Sequence, residues 1–187
     1  MSLFEFLMVL VSIIVGLGIA EVLTGIAHQV RYRHTSTGYW LHSCGIALVT
    51  FALLQSWWEL WGLRDTTEWV FFSMVLMLVS PATLYLIAHL VFPENRQGTD
   101  MRAYYYDQMR PIWWLAVLST ASSTLFRPIS FGSSLIHWDN ATSALFIAGF
   151  LALAVSRNVI LHSIVVPIFL LLLIGDVIIW HPSNTAN

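Results

Sequence analysis

Lysine is absent from this chain, and all eight of its cationic residues are arginine. Chemistry that runs through a primary amine is therefore excluded: there is no site for a retinal or pyridoxal Schiff base and no phosphate-loop lysine. Cys44 is the only cysteine, which rules out an intrachain disulfide, a thiolate metal cluster and a dithiol redox pair. Charge of either sign is scarce, at 10% of residues against roughly 25% in an average soluble domain. A formal net charge of -2 with scattered arginines gives no basic stripe, so nucleic acid is set aside as a partner. Hydrolase signatures are missing too, with no Gly-x-Ser-x-Gly and no His-Glu-x-x-His, and Gly132-Ser-Ser134 lacks the context of a nucleophile elbow. Nothing in the sequence supports an enzyme.

What fills the 187 residues is apolar: 58% are hydrophobic and the mean hydropathy is +0.75. A water-soluble fold has no way to cover so much apolar surface. A spanning helix needs about 20 mainly apolar residues, because each rises about 1.5 Å through about 30 Å of hydrocarbon. The sequence holds six such runs, at Leu3–Gln29, Tyr39–Leu63, Glu68–Phe92, Pro111–Phe126, Ile136–Val155 and Val159–Trp180, of which the fourth is the shortest and has room to extend back to Tyr104. They lack the alternation of barrel strands, and backbone in lipid must satisfy itself, so the expected fold is an all-α integral membrane bundle of six transmembrane helices in one domain. The first run has no basic residue before it and no Ala-x-Ala pattern, and reads as a retained span rather than a cleaved signal.

Arginine placement sets an expected orientation. Arg31, Arg33, Arg96, Arg102, Arg110 and Arg157 fall in the connections after spans one, three and five, whereas the opposite side has only Arg64 and Arg127. The positive-inside rule then puts those connections in the cytoplasm and both termini outside, in a bacterial cytoplasmic membrane. Aromatic belts match this register. Trp57, Trp58, Trp61, Trp69, Trp138 and Trp180 mark one boundary, while Tyr32, Tyr39, Trp40, Tyr104, Tyr105, Tyr106, Trp113 and Trp114 mark the other. The Pro93–Arg110 stretch reads as a segment lying on anionic headgroups, in preference to a dedicated ligand loop.

Ionisable groups inside hydrocarbon are costly and so mark candidate functional sites. Glu21 shares one helical face with Gly18, Gly25 and His28. Such a face is either a small-residue seam holding a protonated or hydrogen-bonded acid, or part of an ion path. Gln55 and Glu59 lie one turn apart on span two, and Glu5 and Asp176 share their leaflet; the three acids fit an outer vestibule for cations or three unrelated interface residues. The ion-path candidates are thus Glu21, His28, Gln55, Glu59 and Asp176. His28, His42, His89 and His162 are expected at one depth, which suits haem b or a metal ion in principle, though no metal-binding spacing accompanies them. The hydroxyl run Ser119-Thr-Ala-Ser-Ser-Thr124 is a packing surface or a polar lining.

Three functional classes remain. The leading expectation is a homo-oligomeric channel or small transporter for an ion or small solute, with Gly16-x-x-x-Ala20 as a close-contact seam between copies. The second is a haem b or quinone-linked membrane redox subunit. The third is a non-catalytic membrane subunit or membrane effector.

Overall fold

The computed structural model describes residues 3–64, 66, 69–94, 98–131 and 139–179. Among them the chain is all helical, with six helices: α1 (Leu3–Arg31), α2 (Trp40–Glu59), α3 (Phe71–Leu90), α4 (Met101–Phe131), α5 (Asp139–Val155) and α6 (Val159–Ile179). One 3-10 turn, Leu60–Leu63, prolongs α2. Four segments are long and apolar enough to cross a bilayer: Leu3–Arg31, Trp40–Leu63, Phe71–Leu90 and Val159–Asp176. Helix α5 is apolar but covers 17 residues, and the expected start of its span, Ile136, lies outside the described residues, as do Glu68, Arg96, Trp138 and Trp180.

Helix α4 departs from its expected bounds. The apolar run opens at Pro111, with an extension back to Tyr104 left open; the helix begins earlier still and runs 31 residues, through Pro111 and Pro128. Interior proline costs about 3 kcal/mol, and here the turn ahead of Pro111 is anchored well enough to offset it. Asp100 Oδ1 accepts the Arg102 and Ala103 N–H groups as an N-cap, and Tyr104 donates its hydroxyl to the Leu90 carbonyl at 2.8 Å. Its tyrosines and hydroxyl run leave α4 less uniformly apolar than its neighbours.

Helices α3, α4, α5, α6 and α2 pack in that order into a closed ring, α2 returning to α3, while α1 lies outside the ring against α3 and α2. The reason is written along α1. Its buried residues are Phe4, Leu7, Val11, Val15, Gly18, Val22 and Gly25, an alternation of three and four that makes one narrow seam. The other faces carry Phe6, Val9, Ile13, Leu17 and Leu23, all exposed, as expected where the surrounding solvent is lipid rather than water. Van der Waals fit then replaces water exclusion as the force between helices. Gly18 abuts Leu53, whose Cδ2 is 2.9 Å from where a Cβ would stand, and Gly25 faces the Phe92 ring. Both glycines of the expected small-residue stripe therefore serve contacts within the chain.

Two sets of contacts define the ends of the ring. At one, which we call the tyrosine end, Thr37 and Asp100 form a parallel bridge between the α1–α2 and α3–α4 connections, with Thr37 Oγ1 donating to Asp100 Oδ1 at 3.3 Å. At the other, the carboxylate end, Gln55 of α2 meets Asp176 of α6. Midway, the Ser80 and Ser119 hydroxyls pair at 2.9 Å and fix the register of α3 on α4.

The bridge yields a pH prediction. The Arg102 and Ala103 N–H groups, with help from Thr37 and the Arg102 charge, hold the Asp100 carboxyl below its usual range. A depressed folded pKa contributes stability above the unfolded value of about 3.9 and loses it as pH falls through the folded one. Asp100→Ala is therefore expected to lower the thermal midpoint at pH 7 and to shrink the difference from wild type as the solution is acidified below pH about 3.9. An equal difference at both pH values would remove the cap from this account.

Candidate functional site

The five-helix ring borders a half-open cavity of about 820 Å³. Along α4 its lining runs from Tyr104 to Phe126, or about 33 Å at 1.5 Å per residue, comparable to the hydrocarbon thickness. No α1 residue lines it. Glu21 and His28 accordingly stand outside the cavity, whereas Gln55, Glu59 and Asp176 lie on its wall.

At the carboxylate end, the Gln55 amide donates to Glu59 Oε1 at 3.0 Å and to Asp176 Oδ2. One NH₂ thereby ties two acids on different helices, which helix spacing alone could show only for the Gln55–Glu59 half. Both N–H groups are spent, so the amide oxygen points the other way, and Gln55 Oε1 is buried without a hydrogen-bond partner. Glu5 is elsewhere, in a lipid-facing groove with Trp57 and Trp61.

The hydroxyl run lines the next stretch, through Ser119, Thr120, Ser123 and Thr124. Thr120 donates to the Ala116 carbonyl at 3.0 Å and Thr124 to the Thr120 carbonyl at 2.8 Å. Their protons go to the helix itself, so what they offer the cavity is acceptor lone pairs. The run is at once helix packing and cavity wall.

Towards the tyrosine end the two buried histidines do matching work. His42 Nε2 lies 2.7 Å from the Val91 carbonyl and Nδ1 lies 3.3 Å from Gln29 Nε2. His162 Nε2 lies 2.8 Å from the Ser156 carbonyl and Nδ1 lies 2.9 Å from the Tyr105 hydroxyl. A carbonyl only accepts, so Nε2 carries the proton in both rings, and Nδ1 accepts from Gln29 and from Tyr105. Each histidine, from the first turn of one helix, thus satisfies a carbonyl left open at the end of another. To bind iron or zinc either ring would have to surrender one of these bonds. Among the described residues no group of three His, Cys, Asp or Glu is placed to hold a metal ion.

His89 and Glu21 form a separate pair on the outside of the bundle, Nδ1 to Oε1 3.6 Å, with side chains 58% and 32% exposed. His89 is the penultimate residue of α3, so Glu21 sits at the level of that helix end. The last turns of α1, with His28, project beyond it. The four histidines therefore divide into two buried between helices and two on the α1 side of the ring.

Sequence reading missed the roles of Tyr104, Tyr105 and Tyr106 because it counted them as an interfacial belt. In the folded chain Tyr105 is 7% exposed and bonded to His162, Tyr104 holds Leu90, and the Tyr106 and Tyr39 hydroxyls are 3.3 Å apart. Continuity of α4 through Pro111 is what carries them into the ring. Trp113, stacked on Phe150 with centroids 5.7 Å apart, was missed for the same reason.

Compared with protein-family models, curated proteins and solved structures, the chain matches none.

His162→Ala removes a cap and strands both Ser156 O and the Tyr105 hydroxyl in a new void, which is expected to cost about 2–4 kcal/mol in detergent unfolding. His89→Ala, at an exposed pair, is expected to stay within about 1 kcal/mol. Equal effects would contradict the capping role.

Proposed function

We propose that the protein is a channel or small transporter that passes an ion or small solute through the cavity bordered by α2 to α6. One observation supports this reading: the residues lining one cavity extend along α4 from Tyr104 to Phe126, a distance about as long as the hydrocarbon is thick. The Gln55–Glu59–Asp176 group at one mouth and the acceptor lone pairs of Thr120 and Thr124 beneath it favour a species that is positively charged or rich in hydrogen-bond donors.

In the proposed topology all six helices cross a bacterial cytoplasmic membrane, with both termini outside. Arg31, Arg33, Arg102 and Arg157 gather at the tyrosine end, and Arg64 stands at the carboxylate end, in keeping with a cytoplasmic tyrosine end. The protein acts as a homo-oligomer in this reading. Gly16 and Ala20 are exposed on α1, and a Cβ at Gly16 would meet no atom of its own chain, so the small-residue face is open to a second copy.

Flux of potassium, protons and glycerol into liposomes tests the path. Ala116 lies on the cavity wall midway along α4, and Ala116→Trp is expected to reduce wild-type flux to that of protein-free liposomes while leaving the helical circular dichroism unchanged. Wild-type protein that passes none of the three under any imposed gradient would end the transport reading.

Assembly is tested independently. Gly16→Leu is expected to convert the oligomer to monomer in crosslinking or native mass spectrometry without lowering the thermal midpoint of the fold. An unchanged oligomer would place the contact on another face.

A further inference from the structure

Helices α5 and α6 diverge toward the carboxylate end. They are joined where Phe146 and Phe150 pack on Phe169, with ring centroids 4.5 and 5.2 Å apart, and again where His162 Nε2 donates to the Ser156 carbonyl. On each helix the inward face can be followed by its spacing of three and four. Along α6, His162, Val166 and Phe169 are buried, Leu173 is half-buried and Asp176 is exposed. Along α5, Leu153 and Phe150 are buried, Phe146 is half-buried and Thr142 is exposed. The cause lies in their other partners: the Gln55 amide holds the end of α6 on α2, while α5 packs chiefly along α4.

A side chain that lines the cavity and is also largely exposed stands on the rim of an opening. Leu145 of α5 and Leu171 of α6 both line the cavity, and they are 54% and 68% exposed. Among the described residues the cavity therefore opens sideways between α5 and α6, over the two turns from Phe169 to Asp176, about 10 Å. What surrounds a spanning helix at that depth is hydrocarbon, so a molecule that enters by this route carries a hydrocarbon chain.

Inside the opening, charge selects the head group. Asp176 lines the cavity, and the Gln55 amide that donates to it is neutral, bringing a hydrogen bond but no opposite charge. No arginine is among the described residues that line the cavity. Thr120 and Thr124, whose protons go to their own helix, add acceptors and no donors. An anionic head would meet Asp176 with like charge, whereas an ammonium head brings the opposite charge and donors alone.

We propose that a single-chain amphiphile with an ammonium head passes from the surrounding leaflet between α5 and α6 into the cavity, where its head binds Asp176 and its chain lies among Phe146, Leu172 and Leu173. That this amphiphile is the molecule carried rests on the transport reading above; its binding and its sideways entry do not.

The test uses full-length protein in lipid nanodiscs and a dodecylammonium probe with a photoactivatable diazirine at the end of its chain, the labelled residues being mapped by peptide mass spectrometry. Label is expected on cavity residues such as Ala116, Phe146 and Leu173. Dodecylamine is expected to compete it away, and 1-dodecanol, with the same chain and a neutral head, is expected to leave it. Asp176→Asn keeps an acceptor for Gln55 and is expected to need about tenfold more dodecylamine for the same competition, the loss of one charge-assisted hydrogen bond. Leu145→Trp, on the rim, is expected to slow labelling of the cavity with unchanged helical circular dichroism. Label confined to lipid-facing residues such as Ile13 and Leu17, or competed equally by the alcohol, overturns the site. Undiminished labelling of the cavity in Leu145→Trp overturns the sideways entry. Labelling as expected in protein that moves no dodecylamine across liposomes confirms the site and overturns only its role in transport. Flux of potassium, protons or glycerol without label in the cavity overturns the site and leaves the transport reading intact.

Discussion

Every helix ends with carbonyl groups that its own backbone leaves open, and within or beside a bilayer there is little water to take them. Much of the tyrosine end is organised around that constraint. His42 reaches from α2 to Val91 at the end of α3, and His162 reaches from α6 to Ser156 at the end of α5. Tyr104 adds the Leu90 carbonyl. These bonds are also the joints of the ring, because each caps one helix from a different one. Satisfying the backbone and closing the bundle are the same set of contacts.

With the ring closed at that end, its centre follows from the choice of side chains. Thr120 and Thr124 on α4 give their protons to their own helix and face the cavity as acceptors. Ser80 and Ser119 satisfy one another across α3 and α4. Gln55 then joins α2 to α6 at the carboxylate end, where both acids can share one amide. The stacked and edge-on rings of Trp113, Phe150, Phe146 and Phe169 fill the interface of α4, α5 and α6. A Cβ at Gly149 would collide with Phe169, so glycine there sets how closely α5 approaches α6.

Helix α1 contributes little to the cavity and much to the exterior. Its single seam is used up on α2 and α3, leaving Gly16, Ala20 and a broad apolar face turned outward. Glu21 belongs to this exterior, paired with His89 rather than with any group on the cavity wall. Helix α1, with Glu21, His28 and the Gly16–Ala20 pair, thus lies outside the cavity. Helix α4, whose tyrosines looked interfacial, supplies its longest wall.

By itself the sequence determined that the chain is helical and membrane-embedded, and it located all six helices, because length and apolarity are local properties that a bilayer reads directly. It also placed Gln55 and Glu59 on one face, since residues one turn apart must share it. It could not determine which helices close the ring, because apolar faces toward lipid and toward another helix look alike when no water distinguishes them. The Gln55–Asp176 tie, the pairing of Glu21 with His89 and the His42–Val91 cap all join residues distant in the chain, and periodicity carries no information across such distances. The start of α4 lies ahead of the apolar run and of its extension to Tyr104: the Asp100 cap there is local, whereas the Tyr104 and Tyr105 bonds that hold the first turns exist only once α3 and α6 are in place.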